Sequence, residues 1–331
     1  MRRFLDLADF TTDEIRDLLA LAQALQDKPQ PHALAGKILG LVFFNPSLRT
    51  LASFQAAMAR LGGNSFVIMP GHGTWALETR QNAIMKDGAA EHIREGIPVL
   101  ASFCDALGVR AFAEGKNLQS DLQETLFGML SELCDKPLIN MESAMNHPCQ
   151  ALADWRTLDE LRVAARAKFV LSWVYHPKPL PLAVPAATLQ MAAMRGMQVV
   201  VLRPHGFALP REIMETARIA AASSGGSVTE TEDRAAALAG ADVLYAKEWG
   251  TTTYYGDVEA DLRLRADLAD WCVRERWFAG AAADAKLMHC LPVRRNVAVA
   301  DEVLDGARAI VKREAFNRLV VQMAVLHRML A

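Results

Sequence analysis

The stretch Ile38-Leu39-Gly40-Leu41-Val42-Phe43-Phe44-Asn45-Pro46-Ser47-Leu48-Arg49-Thr50 joins two different patterns. Ile38 to Phe44 is an unbroken apolar run of strand length, and behind the polar residues Phe54, Met58 and Leu61 recur at helical spacing. A strand that passes into a helix through hydroxyls and an arginine opens an α/β unit. It is also a site for an oxyanion: the first N–H groups of a helix have no partner within it, and the helix dipole favours negative charge there. Ser47 and Thr50 add hydroxyl donors, and Arg49 adds a planar fork that matches a phosphate. A second dense segment, His289-Cys290-Leu291-Pro292-Val293-Arg294-Arg295-Asn296, packs a histidine, a thiol, a proline and two arginines into one loop.

The same alternation runs outward in both directions. Thr11-Thr12-Asp13-Glu14 reads as a capping box ahead of a helix whose inner face is Ile15, Leu18, Ala22 and Leu25. Strands are expected at 38–44, 65–69, 106–109 and 137–141, with helices near 49–61, 91–103 and 118–133 between them. Past His147 the series restarts. Strands are expected at 168–174, 198–202, 227–230 and 242–245, helices at 182–195 and 211–223, and a closing helix at 313–330. Two such series predict an α/β chain of two similar lobes, each a parallel sheet with helices on both faces. The expected division is 1–145, with the C-terminal helix 313–331 packing back on it, and 146–312.

Length, composition and charge bound the function. A chain of 331 residues with 52% apolar side chains can fill two cores. A net charge of −2 gives no bias toward nucleic acid or membrane. Five cysteines without Cys-x-x-Cys pairing fit a reducing compartment. Asp6 and Asp9 follow Met1-Arg2-Arg3-Phe4, no apolar run is of membrane-spanning length, and a cytoplasmic protein is the expectation. No His-x-x-x-His ligand spacing appears and no Gly-x-Gly-x-x-Gly follows a strand, so neither a metal nor another cofactor is expected.

In open parallel sheets ligands bind beyond the carboxyl ends of the strands. The polar clusters fall there: Ser47 to Thr50, then Pro70 to Trp75, Arg110, Glu142 with His147-Pro148-Cys149-Gln150, Tyr175 to Pro181, and Lys247-Glu248-Trp249. Six clusters rich in Arg, His and Lys at one kind of sheet edge describe a binding site better than they describe ordinary polar loops.

Ser-x-Arg-Thr after the first long strand, His-Pro-x-Gln at the lobe junction and His-Cys-Leu-Pro near the end resemble the aspartate/ornithine carbamoyltransferase family, from about residue 3 to 330. Trp75 and His176-Pro177-Lys178-Pro179-Leu180-Pro181 point to the branch acting on N-acylated ornithines. Trp75 to Thr79, Pro179 to Pro185 and Met288 to Asn296 look most like the succinylornithine enzymes. The resemblance implies transfer of the carbamoyl group of carbamoyl phosphate to the δ-amine of an N-acylornithine, in arginine biosynthesis, by a homotrimer. N-succinyl-L-ornithine is the favoured substrate and N-acetyl-L-ornithine the alternative.

It also implies the site. Carbamoyl phosphate is expected on Ser47, Leu48, Arg49, Thr50, Arg110, His147, Gln150, Cys290, Leu291 and Arg318, and on Trp75 reaching in from a neighbouring subunit. Arg49, Thr50, His147, Gln150, Cys290 and Arg318 carry the catalytic roles. Thr50, His147 and Arg318 polarise the carbonyl oxygen, Gln150 places the carbamoyl NH2, and the backbone carbonyls around Cys290-Leu291 align the amine. Glu142, His176, Lys178, Lys247 and Arg294 are expected at the amino-acid end. In the acylornithine branch the proline-rich loop near 174–185 is threaded by the segment that carries 247–257, forming a trefoil knot.

The chain departs from the family pattern at several places. Leu51 and Gln55 stand where an arginine and a glutamate buttress the phosphate loop, and Phe316 stands where an acidic residue is usual. These keep alive a second reading, a catalytically inactive homologue acting as a binding subunit. Ala90 and Ala298 replace the glutamate and lysine of the acetylornithine enzymes; the succinylornithine enzymes place proline at 90. An unrelated two-lobed binding protein is a third class, for which a periplasmic signal peptide would be expected.

Overall fold

The computed structural model describes residues 1–86 and 88–331. They form two compact units: 1–114 with 119–149 and 318–331, and 115–118 with 150–317.

In the first unit the strands are β1 (Arg3–Phe4), β2 (Ile38–Phe43), β3 (Asn64–Ile68), β4 (Leu77–Glu78), β5 (Glu91–His92), β6 (Ala106–Arg110) and β7 (Leu138–Glu142). Five of them make a parallel sheet in the order β1-β7-β6-β2-β3, and β4 pairs with β5 alone. Strand β2 is the apolar run of the opening stretch, buried from Leu39 to Phe43. Its Gly40 is required by close approach: a Cβ there would lie 2.8 Å from Leu107 Cδ1 and 2.9 Å from Phe66 Cζ. The helix Leu48–Arg60 follows, with Ser47 as its N-cap. The register of β6 on β7 slips between Val109 and Arg110, so that Arg110 pairs with Glu142 at the strand ends. A bulge of this kind re-aims side chains beside a site.

The single helix expected over 118–133 is two, Leu118–Leu122 and Thr125–Glu132. Glu124 breaks it with a left-handed φ of 53°. Its carboxylate accepts from the Ser143 hydroxyl at 2.6 Å, the Met145 N–H at 2.8 Å and the Ala144 N–H at 3.0 Å. The strained residue therefore anchors the turn that leads into His147.

The second unit repeats the plan with β8 (Lys168–Trp173), β9 (Gln198–Leu202), β10 (Ser227–Thr231), β11 (Val243–Lys247) and β12 (Lys286–Met288), all parallel, in the order β10-β9-β8-β11-β12. The helix Ala183–Met194 is buried at eleven of its positions and packs between sheet and helix Arg211–Ser224. The α/β class with parallel sheets is as the alternation of patterns predicts. The helix Pro148–Glu160 carries no readable period, because Cys149, Leu152, Ala153, Trp155 and Leu158 are buried together with Asp154, Arg156 and Thr157. A helix covered on all sides has no polar face to mark its rhythm.

The proline-rich loop and the segment after β11 bond to one another. Gly250 N–H donates to the Leu180 carbonyl at 2.9 Å, and Trp173 Nε1 donates to the Trp249 carbonyl at 2.9 Å. Arg265 Nη1 donates to the His176 carbonyl at 2.9 Å. All five cysteines are free and buried. Among the described residues no helix is long and apolar enough to cross a membrane.

Candidate active site

In the first unit the functional side chains gather at the carboxyl ends of β2, β6 and β7. Ser47 Oγ accepts from the Thr50 N–H at 3.3 Å and lies 3.0 Å from Thr50 Oγ1. Arg318 Nη2, from the C-terminal helix, donates to the same Thr50 Oγ1 at 2.6 Å. With Arg318 and Ser47 as donors, the Thr50 oxygen has both lone pairs engaged, which leaves its own O–H proton for donation. Leu48, at the first turn of the helix, is 81% exposed.

Arg110 is ion-paired to Glu142 Oε2, and His147 Nε2 lies 3.3 Å from the same oxygen. All three are buried. Burial, and then the guanidinium groups of Arg318, Arg110 and Arg49, hold the His147 pKa well below 6.5. Burial and repulsion by Arg110 and Arg49 likewise lower the Arg318 pKa. Three arginines from three distant parts of the chain thus act on one buried neutral imidazole. That concentration of positive charge, at a helix N-terminus, is built for an anion carrying several oxygens. Among the described residues His147 Nδ1 has no hydrogen-bond partner. Trp75 is 62% exposed, and its indole N–H donates to Glu91 Oε2 at 2.7 Å.

In the second unit the loops after β8, β11 and β12 hold the remaining candidates. Arg294 Nε donates to His176 Nε2 at 2.8 Å. The ring Nδ1 lies 2.8 Å from the Lys178 carbonyl and 3.0 Å from the Lys178 N–H nitrogen. Burial is the first cause of a lowered His176 pKa. Lys178 and Arg294 are exposed. Lys247 Nζ is 3.0 Å from Glu248 Oε2, and His289 Nε2 is 3.4 Å from the same carboxylate. Burial opposes the charge on Glu248, yet Lys247 and His289 outweigh it and hold the carboxyl well below the usual range.

His289 Nδ1 in turn accepts the Leu291 N–H at 2.9 Å, fixing a loop in which Leu291 has φ 57° and its peptide to Pro292 is cis. Burial pushes the Cys290 thiol up to about 12, so the sulfur is a neutral thiol. Gln150 is buried, and its amide nitrogen donates to Asp154 and Glu314.

Thr50 with Arg318, Arg110 with Glu142 and His147, and His176 with Lys178 and Arg294 are therefore brought together as groups. Glu142 belongs with the arginine cluster of the first unit. Sequence reading gave no role to Glu91, Glu124, Asp154, Glu248 or Glu314. Two of them carried a signal. Asp154 lies one helical turn after Gln150, and Glu314 one turn before Arg318.

Residues 2–160 match the carbamoyl-phosphate-binding domain, and residues 184–329 the aspartate/ornithine-binding domain, of the aspartate/ornithine carbamoyltransferases. The chain belongs to this family. It is 37% identical to the N-acetylornithine carbamoyltransferase of Xylella fastidiosa over 98% of each chain. It is 35% identical to the N-succinylornithine carbamoyltransferase of Bacteroides thetaiotaomicron, covering 100% of this chain and 99% of that one. A crystal structure of an N-acetyl-L-ornithine transcarbamylase with one glutamate replaced by alanine, complexed with carbamyl phosphate and N-succinyl-L-norvaline, superposes with a TM-score of 0.95. It is 37% identical and covers 99% of this chain and 100% of that one. The resemblance carried by the three short motifs thus extends over the whole chain.

Proposed function

We propose that this carbamoyltransferase moves the carbamoyl group of carbamoyl phosphate to the δ-amine of N-succinyl-L-ornithine, giving N-succinylcitrulline and phosphate, as a step of cytoplasmic arginine biosynthesis. The observation that carries the reading is the convergence of Arg49, Arg110 and Arg318 on His147 and the Ser47–Thr50 helix start.

The chemistry then follows from the named groups. The helix-start N–H groups, Ser47, Arg49 and Arg110 hold the phosphate. Thr50 O–H and Arg318 take the carbonyl oxygen, where negative charge grows as the amine nitrogen bonds to the carbonyl carbon. Burial and then the three cations keep His147 neutral; the dianion offsets the cations, so His147 gains a proton more readily and adds a donor at that oxygen. Collapse of the tetrahedral intermediate breaks the C–O bond to phosphate, and the departing phosphate oxygen takes the proton that the amine nitrogen loses. Leu51 and Gln55 do not undo this, because the Ser47 cap and the Arg318–Thr50 bond hold the phosphate turn without them.

Position 90 supports the succinyl group. Acetylornithine enzymes keep a glutamate at the position of Ala90, and a glutamate-to-alanine form of such an enzyme was crystallised with N-succinyl-L-norvaline. Alanine at 90 removes a carboxylate that would repel the succinyl tail, while Lys178 and Arg294 are exposed cations in the loops expected at that end. A homotrimer in which Trp75 serves a neighbouring site agrees with the exposure of its indole. Threading of the 174–185 loop by 247–257 is supported by the bond from Gly250 to that loop.

The test is an assay of phosphate release and ureido product with carbamoyl phosphate and a panel of succinylornithine, acetylornithine, ornithine and aspartate. Succinylcitrulline should be the main product. Binding of carbamoyl phosphate without ureido product from any amine would establish the inactive binding subunit instead.

Glu142 gives a narrower test. Its charge both restrains Arg110 and, in this reading, receives the amino-acid substrate. Glu142→Gln should raise the KM for acylornithine about tenfold, as expected for loss of one charge-assisted contact, and lower the KM for carbamoyl phosphate. A change confined to carbamoyl phosphate would restrict Glu142 to its pair with Arg110.

A further inference from the structure

Gln150 is 1% exposed, and its amide nitrogen lies 2.8 Å from Asp154 Oδ1 and 3.2 Å from Glu314 Oε1. An amide nitrogen has two hydrogens, and here each meets a carboxyl oxygen. The amide oxygen is thereby turned away from both carboxyls. Among the described residues Oε1 has no hydrogen-bond partner. A buried acceptor left unmet is costly, and a fold that orients one so firmly presents it to a donor on a ligand.

We propose that Asp154 and Glu314 are positioning residues that lock the Gln150 amide with Oε1 facing the carbamoyl group, as the acceptor for its N–H. This rests on the carbamoyl-transfer reading above. The other Glu314 oxygen accepts the His289 N–H at 2.9 Å, so one carboxyl side chain ties Gln150 to the loop that carries Cys290 and Leu291. The acceptor for the carbamoyl nitrogen and the backbone that aligns the amine share one buried support.

Two fully buried carboxyls sharing one amide each disfavour the charged form of the other. Burial, and then Asp154, push the Glu314 carboxyl well above the usual range. A singly protonated pair still offers an acceptor to each Gln150 hydrogen. An amide side chain at either position imitates it, with its C=O accepting from Gln150 and its NH2 donating to the remaining carboxylate. An alanine does not, and it frees the Gln150 amide to turn over.

The experiment compares Asp154→Ala, Asp154→Asn, Glu314→Ala and Glu314→Gln by kcat and KM, each with and without Gln150→Ala. Loss of one buried hydrogen-bonded support should lower kcat about 50-fold in each alanine variant, with KM for acylornithine changed less than about threefold. Asn at 154 or Gln at 314 should return kcat to within about fivefold, and in the Gln150→Ala background the alanine effect should shrink below about twofold. Amide variants no better than alanine, or an alanine effect undiminished without Gln150, overturn the proposal. Where an alanine variant fails to fold, the amide variants decide alone. Activity within about fivefold of wild type then upholds the proposal, and a loss as large as that of Gln150→Ala overturns it. A wild-type enzyme without carbamoyl transfer overturns the functional reading itself, and this proposal with it.

Discussion

Arg49→Ala is expected to raise the KM for carbamoyl phosphate and lower kcat together, a loss of about 2–4 kcal/mol in transition-state stabilisation. Arg49 stands in the first turn of the helix Leu48–Arg60, where a guanidinium and the helix-start N–H groups can share one phosphate. The leaving phosphate gains charge as the C–O bond breaks, so the contact strengthens between ground and transition states and its removal reaches kcat as well as KM. The same substitution removes one of three cations that depress His147. The His147 pKa should therefore move upward, and NMR titration of the ring reads that direction independently of turnover. Wild-type kinetics with an unmoved His147 would take Arg49 out of the phosphate site.

Ala90→Glu should turn the preference from succinylornithine toward acetylornithine. Ala90 is exposed and directly precedes Glu91, whose carboxylate holds the Trp75 indole. A second carboxylate there, within about 5 Å of a succinyl carboxylate at an effective dielectric near 20, costs roughly 3 kcal/mol. That is on the order of a hundredfold in relative kcat/KM, enough to exchange two substrates that differ by one charged arm. The acetyl compound carries no charge at that end and should lose little. Two results would strip position 90 of its role in specificity while leaving carbamoyl transfer in place: a wild-type enzyme that already prefers the acetyl compound, or a ratio unchanged by the substitution.

Both predictions rest on residues visible in the linear sequence, and the reason is local. The phosphate turn is encoded by neighbours: Ser47 caps Thr50 three residues on, and the apolar run before it can only be a buried strand. Parallel sheets also write themselves into sequence, because strands buried on both faces read as continuous apolar runs separated by helices. The α/β class, the two series of elements and the motif residues follow from that alone. Conversely, the helix Pro148–Glu160 was silent, since burial on every side erases its period.

Tertiary structure alone decided which charged groups meet. Arg318 reaches Thr50 across 268 residues of chain, and Arg110 meets Glu142 because β6 and β7 are sheet neighbours whose register slips at that residue. Sheet order β1-β7-β6-β2-β3 is not sequence order, so no spacing rule along the chain reveals either contact. The left-handed break at Glu124 was equally hidden, since helical propensity favours continuing through 118–133 and only the three donors at 143–145 offset the strain. The sequence by itself determined the kind of fold and the chemistry of the phosphate turn, which depend on residues within a few positions of one another. The protonation of His147, the neutral thiol of Cys290 and the orientation of Gln150 depend on burial and on charges brought from remote segments, and those exist only once the chain is folded.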